Sequence, residues 1–213
     1  MSTPTIVHLG RHERIPDRLF THPEHSEADA AILDRMRARL YDTLLRSDIG
    51  AGDPRNRELY IQYVKEEDDR LHRMVILSRQ LLLNAYPLTV IGFFGERRGE
   101  ANPALLQDVD TELVQEFLQH IYVLSYSSLE LADGNWANMV LMLGAEGIQH
   151  WRASHKHAYA ARELAPQFYY TIRLHNGTLP EGLSSPNLTL ASTKYYEFHG
   201  QGLWQAVREA SSL

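Results

Sequence analysis

Residues 121–143, IYVLSYSSLELADGNWANMVLML, decide the predicted fold of this chain. Two runs rich in β-branched and aromatic residues, the composition that strands prefer, flank the tetrapeptide Ala132–Asn135. The Asp-Gly-Asn sequence within it is typical of a tight turn between antiparallel strands. The stretch therefore predicts a β-hairpin, and the turn explains Asp133 to Trp136 without any functional role.

The segments on either side of the hairpin complete a βαββαβ order. A strand is predicted at 88–96, LTVIGFFGE, and Thr111 is the predicted cap of a short amphipathic helix that precedes the hairpin. After the hairpin we expect a helix over about residues 145–164 and a fourth strand at 168–175, FYYTIRLH. Two parallel crossovers around a central hairpin make one four-stranded sheet with both helices on one face. The predicted fold class is α+β, with a ferredoxin-like βαββαβ sheet.

Residues 1–87 are predicted to be a largely helical N-terminal extension. Ser26 has the chemistry of an N-cap, and apolar residues at helical spacing follow it over 28–45. A second helix is predicted over 70–84, where apolar residues again recur every three or four positions. The segment 58–65 stays open between helix and strand.

Residues 88–213 are predicted to be the ferredoxin-like domain. Beyond its four strands we expect one further strand at about 188–198. A short C-terminal helix that contains Trp204 and Val207 is expected to follow this strand.

Composition excludes several classes of function. The 213 residues include 21 basic and 27 acidic side chains, and the net charge of −6 disfavours nucleic-acid binding, which needs a positive surface. The chain has no cysteine, so disulfides, thiolate metal sites and cysteine nucleophiles are absent. No apolar stretch approaches the ~20 residues of a membrane helix, and the N-terminus does not resemble a secretory signal. We therefore expect a cytoplasmic protein that binds neither membrane nor nucleic acid.

The densest cluster of candidate site residues is His150, His155 and His157 beside Trp151. Helical metal sites use histidines four residues apart, because those side chains meet on one face, but the residue four after His150 is Ser154. His150 and His157 share a face at a separation of about 10 Å. This spacing disfavours a metal site, and we predict none.

Helical spacing places His155 on the side of the predicted helix that faces the sheet. It shares this side with Ile148, Trp151, Ala158 and Arg162. The imidazole is then either packed against the sheet with a hydrogen-bond partner, or part of a ligand cavity, where a neutral histidine can act as an acid or base.

Strand alternation divides the polar side chains between two faces of the sheet. On the fourth strand Ile172 and Leu174 are assigned to the helix-covered core, and Arg173 and His175 to the opposite, open face. Asn138 of the hairpin is assigned to that same open face. Because the open face also carries large apolar residues, a second subunit or the N-terminal region must cover it. Arg173 and His175 are then interface residues or polar anchors for a ligand.

The chain resembles the dimeric α/β-barrel superfamily, which includes antibiotic-biosynthesis-type and haem-degrading monooxygenases. The resemblance covers Leu88–His175 and rests on the element order and on the sequence HWRASHKHAYAARELAP, which FYYTIRLHNG follows. It implies a homodimer in which two sheets pair face to face. It also implies a ligand between the sheet and the helices, with either no cofactor or haem.

The resemblance also implies which residue types line the cavity, namely an Asn, a Trp and in some members a His. Asn138, Trp136 or Trp151, and His155 would fill these positions.

The predicted function is that of a small-molecule enzyme of the α/β-barrel monooxygenase type. The candidate catalytic residues are His155, Asn138 and His175, and the candidate ligand-binding residues are Trp136, Trp151, Arg173 and Tyr126. The alternative is a non-catalytic oligomeric or ligand-sensing module, because no catalytic spacing such as a P-loop or GxSxG occurs.

Overall fold

A computed structural model describes residues 5–49, 58–99, 103–199 and 202–210. Its strands are β1 (Ile6–Leu9), β2 (Tyr60–Lys65), β3 (Leu71–Ile76), β4 (Leu88–Arg97), β5 (Val123–Glu130), β6 (Trp136–Leu143), β7 (Tyr169–Leu179), β8 (Thr189–His199) and β9 (Gly202–Glu209). Its α-helices are α1 (Pro23–Arg46), α2 (Arg79–Asn84), α3 (Pro103–Glu116), α4 (Glu146–Arg152), α5 (His155–Tyr159) and α6 (Ala165–Phe168). A π-helical turn, Ala160–Leu164, joins α5 to α6, and 3₁₀ turns cover Leu19–Thr21, Phe117–Gln119 and Gly182–Ser184.

The strands form one mixed sheet in the order β1-β9-β8-β7-β4-β6-β5-β3-β2. All neighbouring strands are antiparallel except β1 and β9, which are parallel. The α+β class predicted from the sequence is confirmed. The four strands predicted between residues 88 and 175 are consecutive in the sheet, in the order β7-β4-β6-β5. The hairpin is also present, with Gly134 at a φ of +78° in its turn.

The long helix α1 covers one face of the sheet. Its apolar residues at helical spacing are all fully buried: Leu33, Met36, Leu40 and Leu44. They belong to one core cluster that includes strand residues both before and after residue 87 in the sequence. The closest approach is at Gly92 of β4, where an added Cβ would lie 2.5 Å from Leu33 Cδ1. The predicted helix over 28–45 is confirmed, although it begins at Pro23, so Ser26 is not its cap.

The helices α3 to α6 cover the opposite face. Val114 and Phe117 pack with Val75, Val123 and Met142 in a second core cluster. The two predicted helical segments therefore lie on one side of the sheet, as expected. α3 begins eight residues before Thr111, so the predicted cap at that position is wrong.

Two segments that were predicted as helices contain strands in the structure. The segment 70–84 contains β3 followed by the short helix α2, and the C-terminal segment with Trp204 and Val207 is β9. In β3, apolar residues face both ways because both sides of the sheet are covered, so their spacing also fits a helix. The N-terminal region thus contributes β1, β2 and β3 to the sheet in addition to α1 and α2.

The face of β7 that was expected to be open is the face that α1 covers. Of the two predicted covers, the structure shows the N-terminal region in this position. Among the described residues, no helix is both long and apolar enough to cross a bilayer.

Candidate functional site

A cavity of about 570 Å³ lies between the sheet and the helices α3 to α6. Most of its wall is apolar, as small-molecule sites usually are, and its size is within their range. Among the described residues, eight Phe, Tyr and Trp side chains line it: Tyr63, Phe93, Phe117, Tyr126, Trp136, Trp151, Phe168 and Tyr169. On the helix side, Ala160, Ala161 and Ala165 of the π-turn and its surroundings leave the space open.

A hydrogen-bonded polar group forms one part of the cavity wall. Arg73 binds Asp110 of α3 through two contacts of 2.5 and 2.8 Å, and its Nη2 also donates to Ser128 Oγ at 3.2 Å. The Tyr126 hydroxyl lies 3.1 Å from Asp110 Oδ1 and 3.1 Å from Asn138 Oδ1. These contacts tie α3 to three strands of the sheet.

Strand register places this polar group. Arg73 pairs with Ser128, Ser128 with Asn138, Asn138 with Phe93, and Phe93 with Leu174. Because residues directly opposite each other share a face, these five side chains form a row across β3, β5, β6, β4 and β7. All five line the cavity.

The Tyr126 hydroxyl has one hydrogen and cannot donate to both of its neighbours. Asp110 accepts this hydrogen, since a carboxylate is an acceptor only. The Asn138 amide must then be turned so that its N–H donates to the Tyr126 oxygen, an orientation that the hydrogen-bond network decides. Burial and the nearby Asp110 charge raise the pKa of Tyr126, so the phenol stays protonated.

The charges of this group cancel. Burial opposes the charge of Arg73, but the hydrogen bonds and charge of Asp110 outweigh it, so the pKa of Arg73 is raised. A charge-assisted pair of this kind holds its geometry strongly. Tyr169 of the same wall stays protonated as well, because burial raises its pKa to about 12.

His157 of α5 is a second polar group of the cavity wall. Its ring centroid lies 4.9 Å from that of Trp151, and Trp151 lies 4.9 Å from Phe117. Burial lowers the pKa of His157 to about 4, against the opposing effect of Glu116. The imidazole is therefore neutral at pH 7, when it can accept a proton.

Four of the seven predicted site residues line this cavity, namely Asn138, Trp136, Trp151 and Tyr126. His155 does not, because it is exposed. The predicted helix breaks at Ala153. Ser154 caps a new helix, its hydroxyl accepting the backbone N–H of His157, and this break changes the direction in which the following side chains point. The predicted orientation of His155 toward the sheet is wrong.

Arg173 and His175 lie on the face opposite α3 to α6, as predicted, where α1 covers them. Asn138 lies on the other face, in the cavity wall, so its predicted assignment to the same face as Arg173 and His175 is wrong. Arg173 binds Asp29 at 2.5 and 2.9 Å, and His175 Nε2 binds it at 2.9 Å. His175 Nδ1 lies 2.9 Å from Thr193 Oγ1, and the His175 side chain is fully buried. This network joins α1 to β7, away from the cavity.

The polar cavity residues that sequence reasoning missed include Arg73, Asp110 and His157. Arg73 was hidden by the helix predicted over 70–84, since a strand would have placed it opposite the hairpin. Asp110 was missed because α3 was expected to begin after it. His157 would have been found if Ser154, three residues before it, had been recognised as a helix cap.

The described side chains contain no group of three or more His, Asp or Glu residues arranged to hold a metal ion.

Comparison of the chain with family models, curated proteins and solved structures finds no match.

Proposed function

We propose that this protein binds a small, largely apolar molecule in the cavity and acts on it as an enzyme of the α/β-barrel monooxygenase type. One observation supports the proposal most: an apolar, aromatic cavity of about 570 Å³ contains a neutral imidazole and a few hydrogen-bonding groups. Sites with these properties are typical of small-molecule binding.

The strand order supports the resemblance on which the reaction type rests. The order β7-β4-β6-β5, with every neighbour antiparallel, is what two βαβ crossovers around a hairpin produce. We propose that residues 88–179 are a ferredoxin-like unit to which the other strands add at both edges.

The cavity residues fit the residue types of the cofactor-free members. Asn138 and the two tryptophans are in place, and His157 takes the part expected of His155. A ring CH₂ next to a carbonyl can lose a proton to the neutral imidazole, and the electron pair left on the carbon adds to O₂ to give a C–O–O⁻ group, which takes the proton back. Loss of the second C–H proton then breaks the O–O bond. The CH₂ then becomes C=O, and the second oxygen atom leaves as water.

Haem is the second cofactor alternative that the resemblance implies. Within the described chain, His157 is the one histidine of the cavity wall, so it would be the axial ligand. Arg73, a cation suited to a haem propionate, is already bound to Asp110, and Arg97, the other described arginine of the wall, donates to the Gly134 carbonyl. These contacts favour the cofactor-free alternative, and the visible absorbance spectrum of the purified protein distinguishes the two by the presence or absence of a Soret band.

A ligand-sensing module without catalysis is the second candidate function. It is favoured by the internal pairing of Arg73, Asp110 and Tyr126, which leaves the polar group without a nucleophile. Such a group can orient a ligand without changing it.

Two measurements, made with 1-naphthol and a panel of ring ketones, separate these functions. Thermal-shift titration tests binding, and an oxygen electrode tests turnover of 1-naphthol and of a panel of ring ketones, with His157→Gln as the comparison. The proposal predicts saturable stabilisation and oxygen uptake that His157→Gln reduces at least tenfold. Binding without oxygen uptake supports the sensing module, and the absence of binding by the whole panel contradicts both.

A further inference from the structure

A second cluster of polar side chains lies next to the cavity wall, between α3 and α5. Glu116, the last residue of α3, accepts a hydrogen bond from Ser154 Oγ at 2.6 Å and lies 3.4 Å from His120 Nε2. Its other oxygen, Oε2, is buried and has no hydrogen-bond partner among the described residues. A buried carboxylate oxygen without a donor is unfavourable, so Glu116 calls for an explanation beyond its bond to Ser154.

Ser154 links Glu116 to the first turn of α5 by two hydrogen bonds. The Ser154 hydroxyl donates its one hydrogen to Glu116 and accepts the backbone N–H of His157 at 3.1 Å. This hydroxyl is therefore the N-cap of α5 and its link to α3. His157 follows the cap by three residues, about one helical turn, and this spacing places its ring at Trp151 and in the cavity wall.

The rings near Glu116 connect the cluster to the cavity. Trp151 has two imidazole neighbours, His120 and His157, each with a centroid separation of 4.9 Å. The charged and titratable groups that act on His157 are Glu116 and His120 from the α3 side and Arg152 from α4. Glu116 is the one anion among these three, and it favours the protonated imidazole.

We propose that Glu116 is a positioning residue for His157. It fixes the first turn of α5 through Ser154, and its charge stabilises the imidazolium that forms when a ligand proton moves to the His157 ring. This inference rests on the proposed function, since it assigns His157 as the group that takes the proton from the ligand. No electron moves in this step, and the proton returns from His157 to the ligand or to water.

Histidine NMR titration tests this inference without any ligand. The ¹H–¹³C signal of His157 is assigned by its loss in His157→Gln, and its titration midpoint is measured in the wild-type protein and in three variants. Glu116→Gln retains the contact to Ser154 but removes the charge, so the His157 midpoint falls by about 1 pH unit. Ser154→Ala removes the link, so the ring becomes more hydrated and the midpoint rises.

The matched control is Glu112→Gln. Glu112 lies one turn earlier on the same helix, carries the same charge and pairs with Lys156 at the surface. Its loss leaves the His157 midpoint unchanged.

An unchanged midpoint in Glu116→Gln overturns the inference. A Ser154→Ala protein that is less stable but has the wild-type midpoint shows that Ser154 is only a cap, and it also overturns the inference. If Glu116→Gln does not fold, Glu116→Asp replaces it. The shorter side chain weakens the contact to Ser154, so the inference predicts a raised His157 midpoint. An unchanged His157 midpoint in Glu116→Asp contradicts the inference. Because no ligand is present, failure of 1-naphthol binding and failure of this titration remain separate results.

Discussion

At the residue scale, one hydroxyl of the cavity wall serves two neighbours. Tyr126 donates to Asp110 and accepts from Asn138, so Tyr126→Phe leaves two polar groups with one bond fewer. We expect the variant to lose about 1–3 kcal/mol of unfolding free energy. Urea denaturation measures this loss, with the exposed Tyr159→Phe as the control that should show little change. A Tyr126→Phe protein as stable as the wild type would contradict the hydrogen-bond network.

Asp29 is the corresponding residue on the other face. It is buried and binds both Arg173 and His175, so Asp29→Asn leaves two buried groups without their anion. The expected loss at pH 7 is about 3–5 kcal/mol of unfolding free energy. Asp17→Asn, an exposed carboxylate beside an arginine, is the control with little expected effect.

The contribution of Asp29 also depends on pH with a definite sign. Burial opposes the Asp29 charge, but the hydrogen bonds of His175 and Arg173 outweigh it and lower the pKa of Asp29. A group whose pKa is lower in the folded chain stabilises it above the unfolded value, about 3.9, and loses this effect as the pH falls through the folded pKa. The difference in unfolding free energy between the wild-type protein and Asp29→Asn, measured by urea denaturation, should therefore be largest at pH 7 and shrink below about pH 4. A difference that stays constant over this range would show that Asp29 does not stabilise the fold as an anion.

Residue-level prediction from the sequence succeeded where local pattern decides and failed where a helix changes direction. Trp136 and Tyr126 follow from the hairpin, whose register is local. His155 was chosen over His157 because a continuous helix was assumed, while Ser154 starts a new one. Ser154 is a local signal for this break, but its hydrogen bond to Glu116, thirty-eight residues away, is not visible in any local spacing.

At the element scale, the contact between α1 and the sheet depends on a glycine. Gly92→Ala would place a Cβ 2.5 Å from Leu33 Cδ1, and Leu33 is fully buried, so its side chain cannot move aside. We expect a loss of about 1–3 kcal/mol of unfolding free energy. Gly99→Ala is the matched control, because an added Cβ there meets no atom within 4 Å. Equal stability of the two variants in urea denaturation would contradict the close packing of α1.

Element prediction worked best for the four strands of the βαββαβ order. β4 to β7 were predicted in the right order, since crossovers and a hairpin constrain them. β3 and β9 were predicted as helices although each pairs with the strand directly before it, because neither keeps a clean alternation of apolar and polar residues. Arg73 and Val75 face α3 while Met74 and Ile76 face α1, and a strand with apolar residues on both sides loses its period of two.

At the scale of the whole molecule, the homodimer stays a prediction. α1 covers the sheet face that was expected to pair. Of the two edge strands, β1 and β2, we expect a second copy at β2, where Ile61 and Tyr63 are exposed. Light scattering should then give twice 24.4 kDa, and Ile61→Lys should reduce it to one chain. Tyr86→Lys, at an exposed site away from β2, is the control. A mass of 24.4 kDa for the wild-type protein at micromolar concentration contradicts the prediction.

The central claim is that the cavity between the sheet and α3 to α6 binds a ligand. Two of the three tryptophans, Trp136 and Trp151, line it, while Trp204 packs against Phe20 elsewhere. In a Trp204→Phe protein, tryptophan emission therefore reports on the cavity alone. Energy transfer to the uncharged dye N-phenyl-1-naphthylamine measures occupancy directly.

We predict saturable energy transfer at one dye per chain, which 1-naphthol displaces. In the same background Ala161→Phe, which narrows the cavity at an exposed position of its wall, should abolish the transfer, while the exposed Ala153→Phe should not. Transfer that does not saturate, or that Ala161→Phe leaves intact, would contradict the account.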